Sequence, residues 1–346
     1  MIYALFRVAA GPRLGHGHLR RAEVLARSLR RPSLVSVRGG GAPTCLRRAP
    51  AGAPGTVLDR VRPAVLVLDD PHATSGRAWL AAARRRGVPV VSLHDLGRGR
   101  LATTLAIDGS VTSPAAGWPA ARTLRGLPFA VIRPPRRARV ARVVTTVLIS
   151  LGGGPRASWA RAVAAELIRR RPKLMVFATG SADAGADRVA PPTMVAAPDG
   201  LAPWLARVDV AIVGGGVSLY EAVAAGVPTV AVPVVPAQRP TIRGFAARRL
   251  TVDAGGPSAS LRALARRIGD RFERIADDAA GRRHVRQAGP RAVDGRGARR
   301  VAREIAVRLP SSSTSMTPSI RSGASRSAAM RPCHRRSPPR PACRRG

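Results

Sequence analysis

The chain has 346 residues, 45% of them hydrophobic, which is enough to fill two cores and excludes a wholly disordered polypeptide. Its charge is extreme, 59 Lys and Arg against 19 Asp and Glu for a formal +40, and on its face this points to nucleic acid or another anionic surface. The arginines argue otherwise: Lys173 is the only lysine, Ala, Gly and Pro are abundant in a pattern of GC-rich coding bias, and the arginines lie on predicted helix faces with almost no aromatic residues between them to stack on bases, so no specific nucleic-acid partner is expected.

The first apolar run, residues 2–8, predicts a buried strand, and Leu19 to Leu29 carry apolar side chains at helical spacing. Between them Gly15-His-Gly-His18 forms a strand-to-helix turn. Its glycines permit a backbone that other residues resist, and the free N–H groups of the next helix favour an anion or a polar ligand. Arg7 interrupts the first run too early for a signal peptide, and Gly and Pro break the longest uncharged runs, so no membrane span is expected. Ser33 to Val37 predicts a second strand, and the Gly/Pro-rich residues 39–55 a loop. Ala64 to Leu68 is a continuous apolar run of the kind that parallel sheets cover on both faces, ending in Asp69-Asp70-Pro71-His72. A helix over 76–86, the strand Val88 to Leu93 ending in His94-Asp95, and Leu105 to Asp108 continue the βαβ alternation.

Pro128 to Arg142, with Pro134-Pro135 and an arginine cluster, reads as a linker. A second alternating series follows: the strand Val143 to Ile149, a turn at Gly152 to Gly154, a helix over 158–170, strands at Leu174 to Ala178 and Thr193 to Ala196, and a short helical turn at Leu201 to Leu205. Val208 to Val213 then predicts a buried strand, Gly214 to Gly216 a tight turn, Ser218 to Ala225 a helix and Pro228 to Val232 a strand. Ser218 with Glu221 three residues on has the spacing of a capping box, which would fix the helix start. Helical spacing recurs over 258–277 and 297–308, and the Ser-, Pro- and Arg-rich tail beyond Pro310 has the composition of a disordered segment. Cys45, Cys333 and Cys343 form no CxxC pair, so the expected compartment is the reduced cytoplasm.

The distinctive polar clusters all fall at the carboxyl ends of predicted strands, where open α/β sheets bind ligands. The 214–216 turn suits a diphosphate, since small residues let the backbone approach and a helix N-terminus presents N–H groups; a tight turn without a ligand is the plain alternative. Glu221 reads either as the partner of Ser218 or as an acceptor for a ribose. His18 is the candidate general base, because an imidazole titrates near neutral pH, against a purely structural reading. His16, His18, Asp69, Asp70, His72, His94 and Asp95 raise a metal reading, but no metal-binding spacing such as HExxH is present and no metal is expected. There is no GxSxG, and no cysteine near a histidine, so water or a substrate hydroxyl is the expected attacking group.

Six blocks, taken in order, resemble a known family: Gly15-His-Gly-His18-Leu-Arg-Arg21, the strand end at Asp69, His94-Asp95-Leu96, Leu148-Ile-Ser-Leu-Gly-Gly153, Gly214-Gly-Gly-Val-Ser-Leu-Tyr-Glu221-Ala-Val-Ala-Ala-Gly-Val-Pro228 and Val293-Asp-Gly-Arg-Gly-Ala298-Arg-Arg-Val301. The family is the PseG-type UDP-sugar hydrolases of pseudaminic-acid biosynthesis, close in fold to the MurG-type glycosyltransferases. The resemblance implies a GT-B architecture: two Rossmann-like domains facing across a cleft, residues 1–133 on the sugar side and 143–309 holding UDP, joined by 134–142 and followed by the tail 310–346. It implies a UDP-sugar substrate, no cofactor, and His18 as the base that activates water to attack the anomeric carbon, releasing UDP with inversion. Glu221 is implied at the ribose, the glycines before it, including Gly215 and Gly216, at the diphosphate, and Gln238 near the sugar. Gly15, Gly17, Asp69, Asp95, Gly153 and Ser218 complete the implied binding set, with Arg7 and Arg21 as further candidates for holding diphosphate or substrate. The chain departs from the family pattern at Ala9, His94, Pro155 and Ala237, and losing a carboxylate and an amide near the sugar bears on which sugar is accepted. A glycosyltransferase using an acceptor hydroxyl and a non-catalytic nucleotide-sugar binder are the alternatives.

Overall fold

Continuous runs of β-branched and leucine side chains make strands that need cover on both faces, and the chain answers that need twice. The structure is a computed structural model that describes residues 3–11, 15–39, 44–138, 142–152, 157–179, 193–195, 197, 200–256 and 260–308. The described residues belong to one compact unit, residues 1–310. The tail read as disordered and most of the 152–154 turn lie outside the described residues.

The first sheet is wholly parallel, with β1 (Ala4–Ala9), β2 (Ser33–Arg38), β3 (Arg47–Arg48), β4 (Val65–Asp69), β5 (Val90–Leu93), β6 (Leu105–Asp108) and β7 (Thr123–Arg125) in the order β3-β2-β1-β4-β5-β6-β7. Helix α1 (Gly17–Leu29) covers one face, and α2 (Pro54–Val61) and α3 (Ala73–Arg84) cover the other. Alternate residues of each strand serve opposite cores: Phe6 and Val67 pack beneath α1, while Leu5 and Leu66 pack beneath α2 and α3.

The second sheet repeats the plan with β8 (Thr146–Ser150), β9 (Met175–Thr179), β10 (Thr193–Val195), β11 (Val210–Gly214), β12 (Thr229–Val232) and β13 (Val252–Asp253), all parallel, in the order β10-β9-β8-β11-β12-β13. Helices α4 (Ala157–Arg170) and α8 (Leu261–Asp277) cover one face. Helices α6 (Val217–Ala225) and α7 (Arg239–Ala246) share the core of the other face with the short α5 (Ala202–Leu205) and the end of α9 (Ala279–Ala292). Where α6 ends against α9, a Cβ on Gly289 would come 2.4 Å from the Val223 carbonyl oxygen, so the two helices meet backbone to backbone.

Helix α2, strands β3, β7 and β13, and helices α7 and α9 lie where the sequence reading assigned no element. β3, β7 and β13 are edge strands of two or three residues, too short to show a period. A larger difference concerns the end of the chain. Helix α10 (Gly297–Arg308) belongs by sequence to the second half, yet Ala298, Val301, Ala302 and Ile305 are buried in the first core, against α1. Its start is fitted to the segment between the sheets, since a Cβ on Gly297 would meet the Ala130 carbonyl oxygen at 2.1 Å. That segment, read as a linker, is packed as well: Val131 enters the first core, and Ala130, Ile132 and Ala138 enter the second. No described helix is long and apolar enough to cross a membrane.

Truncating Ile305, 1% exposed at the α10–α1 contact, removes a side chain that ties the end of the chain to the first sheet. Ile305→Ala is expected to cost about 2–5 kcal/mol of unfolding free energy, measured by denaturant titration, and Val307→Ala on the same helix, at an exposed position, well under 1 kcal/mol.

Candidate active site

Both strand orders run outward in two directions from a central pair, β1 and β4 in the first sheet and β8 and β11 in the second, so each sheet has a topological switch point where its loops part and leave a crevice. The loops that follow β1, β4, β5, β8 and β11 meet at one cavity of about 660 Å3. Gly15, Gly17, His18, Arg21, Asp69 and Asp95 line it from the first sheet, and Gly152, Gly215, Gly216, Ser218 and Gln238 from the second. The two walls are close, because a Cβ on Gly17 would lie 3.7 Å from Val217 Cγ2 at the start of α6.

On the first wall the chain leaves β1 through a pinched loop, Gly11 and Gly15 exchanging backbone hydrogen bonds of 3.1 and 2.8 Å, and enters α1 with no side chain capping its first turn. His18 therefore sits in the first turn facing the end of β4. Its Nδ1 lies 2.8 Å from Asp69 Oδ1, and because a carboxylate only accepts, this ring nitrogen carries the proton and Nε2 is left as the free base. Arg21, one turn on, donates from Nε to Asp69 Oδ2 at 2.7 Å and from Nη2 to Asp69 Oδ1, and reaches Asp95 at 2.6 and 3.1 Å. Burial acts against the charge on His18, but the Asp69 carboxylate outweighs it and raises the imidazole pKa above its ordinary 6.5, with Arg21 opposing and Asp95 assisting. For Asp69 burial likewise works against ionisation, and the Arg21 and His18 charges beside it overcome this to hold the carboxyl well below the usual range.

The second wall is built from backbone. β11 delivers Gly214-Gly215-Gly216, and α6 begins at Val217 with Gly216 as its N-cap and no side chain satisfying its first turn. Only glycine fits at 215, where a Cβ would come 2.7 Å from Ile242 Cγ1. Gln238 braces the turn, its Oε1 accepting from the backbone N–H of Gly215 at 3.0 Å and of Val234 at 3.1 Å. Tyr220, which the sequence reading passed over, also lines the cavity, and its hydroxyl accepts from the Val111 N–H at 3.2 Å.

The capping box expected at Ser218 and Glu221 does not form. Because α6 starts one residue before Ser218, that serine stands within the first turn and cannot cap it, and Glu221 turns inward. Glu221 is buried away from the cavity wall, where its carboxylate accepts the Leu201 N–H. Burial pushes it up to about 7, against the lowering effect of Arg133, the Leu201 N–H and Arg20.

Arg7 is likewise absent from the cavity wall: its guanidinium lies over the Trp79 ring and donates to Ser36 Oγ at 2.9 Å. Gly153 lies outside the described residues. Two of the histidines that raised a metal reading are separately engaged: His72 caps α3, and buried His94 bonds to Ser92 Oγ through Nε2 and to the Arg98 carbonyl through Nδ1. Burial lowers the His94 pKa, so this ring is neutral. Among the described residues no group of three His, Cys, Asp or Glu side chains could hold a metal ion.

Two parallel doubly wound sheets with their switch points facing one cavity, and the last described helix returning to the first sheet, define the GT-B fold. Solved structures with this fold include the glycotransferase of kitacinnamycin (14% identity, 89% of this chain and 99% of that one, TM-score 0.62), S. aureus MnaA in a co-structure with UDP (11%, 88% and 96%, TM-score 0.61) and Acinetobacter baumannii MurG (14%, 88% and 99%, TM-score 0.57). At these identities the likeness is one of fold. No family model and no curated protein matches the sequence.

The raised Glu221 carboxyl has a consequence for stability. A folded-state pKa near 7, above the 4.5 of a free glutamate, means that the folded chain binds this proton more tightly than the unfolded chain. The stabilisation is full below pH 4.5 and is lost as pH rises through 7, at most about 3 kcal/mol in all. Chemical denaturation across that range is expected to show wild type losing stability relative to Glu221→Gln by an amount approaching this limit; a pH-independent difference would contradict it.

Proposed function

We propose that the cavity binds a UDP-linked amino sugar and that the chain transfers the glycosyl group to water. The observation that carries this reading is the His18–Asp69 pair placed across one cavity from the glycine turn of α6. The uncapped N–H groups at the start of α6, with the helix dipole behind them, would receive the diphosphate. His18 Nε2 would take a proton from water as the water oxygen bonds to the anomeric carbon. The bond from that carbon to the phosphate oxygen breaks, and its electron pair leaves with UDP. Asp69 fixes the ring orientation and stabilises the imidazolium that forms. Arg7 and Glu221 have no part in this reading, since neither lines the cavity.

A second reading keeps every role but replaces water with an acceptor hydroxyl. It is favoured by the glycosyltransferases among the solved structures of the same fold, and by the apolar wall of Leu93, Leu96, Leu101 and Phe129 on the His18 side of the cavity, which would suit an acceptor.

Incubating the purified chain with UDP-N-acetylated amino sugars and following UDP separates the readings. Release without acceptor supports the hydrolase and release only on adding an acceptor supports the transferase, while nucleotide affinity without turnover of any sugar would leave a binding protein. His18→Ala is expected to lower turnover about 10²–10⁴-fold, and full activity in that variant would remove the mechanism. Since protonation disables the base, activity should rise with pH through a midpoint above 6.5, the direction in which Asp69 shifts His18.

A further inference from the structure

Arg21 occupies the cavity wall, yet its donors are turned toward the protein. Nε and Nη2 contact both oxygens of Asp69, and Nη1 and Nη2 contact the two oxygens of Asp95. Nη2 also lies 3.0 Å from His18 Nδ1, the same ring nitrogen that lies 2.8 Å from Asp69 Oδ1. These two contacts make opposite demands on the ring. Donation from Arg21 would require Nδ1 to be bare and would leave the proton on Nε2, where the ring could not act as a base toward the cavity. Donation from Nδ1 to Asp69 leaves Nε2 bare. The two hydrogens of Nη2 have carboxylate oxygens on Asp69 and Asp95 to take them, which leaves Nδ1 free to donate.

We propose that Arg21 is a positioning residue, not a substrate ligand: by gripping Asp69 and Asp95 together it fixes the tautomer of His18 and keeps Asp69 from locking the ring as a permanent imidazolium. The inference rests on the reading of His18 as the base. The other charged or titratable groups around the ring are few. Asp69 faces it from the end of β4 and Asp95 from the turn after β5. Beyond them, Asp70 is held by Arg38, His94 is neutral, and Arg98 lies further along the cavity. The second wall presents the neutral Ser218, Gln238 and Tyr220, the last pushed up to about 12 by burial. Arg21 is thus the positive charge set against two carboxylates next to the ring, and without it both would act on His18 unopposed.

The test follows the His18 ring nitrogens by long-range proton–nitrogen NMR in the full chain, the His18 signals being those lost in His18→Gln, alongside pH profiles of UDP release. Wild type is expected to show the Nδ1–H tautomer when neutral. In Arg21→Gln the titration midpoint should move up by about one unit or more, with kcat/KM at neutral pH about tenfold lower per unit and recovering at alkaline pH. Arg21→Lys should return the midpoint toward wild type while kcat stays low, because an ammonium cannot grip two carboxylates as a fork. Asp95→Asn, at a half-exposed side chain where folding is not at risk, should move the midpoint down. Should Arg21→Gln not fold, the lysine and asparagine variants carry the test. An unchanged His18 titration in Arg21→Gln and Asp95→Asn, or Arg21→Lys with kcat intact and an effect on KM alone, would make Arg21 a substrate ligand and overturn the inference. The titration is read without turnover, so shifted midpoints in a chain that releases no UDP would remove the hydrolase reading and leave the role of Arg21 standing.

Discussion

A buried carboxylate needs partners, and Asp69 stands at the end of a strand covered on both faces, 2% exposed. It is stable there because His18 and Arg21 reach it from the first turns of α1, which obliges that helix to start where it does and to direct these side chains at the end of β4. Gly11 and Gly15 pair just before α1, and His18, held to Asp69 through Nδ1, lines the cavity. The same contacts that satisfy the carboxylate thus present a base.

The cavity divides its physics between its walls. The first wall supplies charge, in the form of an arginine, two carboxylates and an imidazole in mutual contact. The second supplies backbone: three glycines, an uncapped helix start and an amide that braces the turn. A diphosphate suits the second wall, where N–H groups can approach it, and a proton transfer suits the first, where charge can be redistributed over a short distance. Helix α10 packs in the first core, and the segment 130–138 contributes side chains to both cores.

Part of the arginine content is spent on structure. Arg170 pairs with Glu166 and Asp270, Arg171 with Glu273 and Asp277, and Arg300 with Asp294, while buried Arg282 donates to the Ile275 and Ala276 carbonyls at the end of α8. Arginine stays charged in every such setting, and its fork serves two acceptors at once. The Arg170–Asp270, Arg171–Glu273 and Arg171–Asp277 pairs tie α4 and the residue after it to α8.

Fold class was legible in the sequence because continuous apolar strands alternating with amphipathic helices leave little other than parallel sheets covered on both sides. The clustering of Gly15, His18, Asp69, Asp95 and Gly214 to Gly216 at strand ends was legible for the same reason, since strand ends in such sheets gather at one edge. The partners were not. Ser218 and Glu221 have the spacing of a capping box, but α6 starts at Val217 and Glu221 meets the Leu201 N–H instead, a partner that no local spacing records. Arg7 went to Trp79 and Ser36 because strand alternation and the helices above the sheet decide which face a side chain meets. Helix α10 returned to the first core because its apolar face at 298, 301, 302 and 305 fits the groove beside α1, a match between surfaces some 270 residues apart in the chain. Sequence by itself set the local periods and the chemistry available at the strand ends. Only tertiary packing decided which polar groups would be buried together, because the cost of leaving Asp69 unpaired is settled by what folds against it.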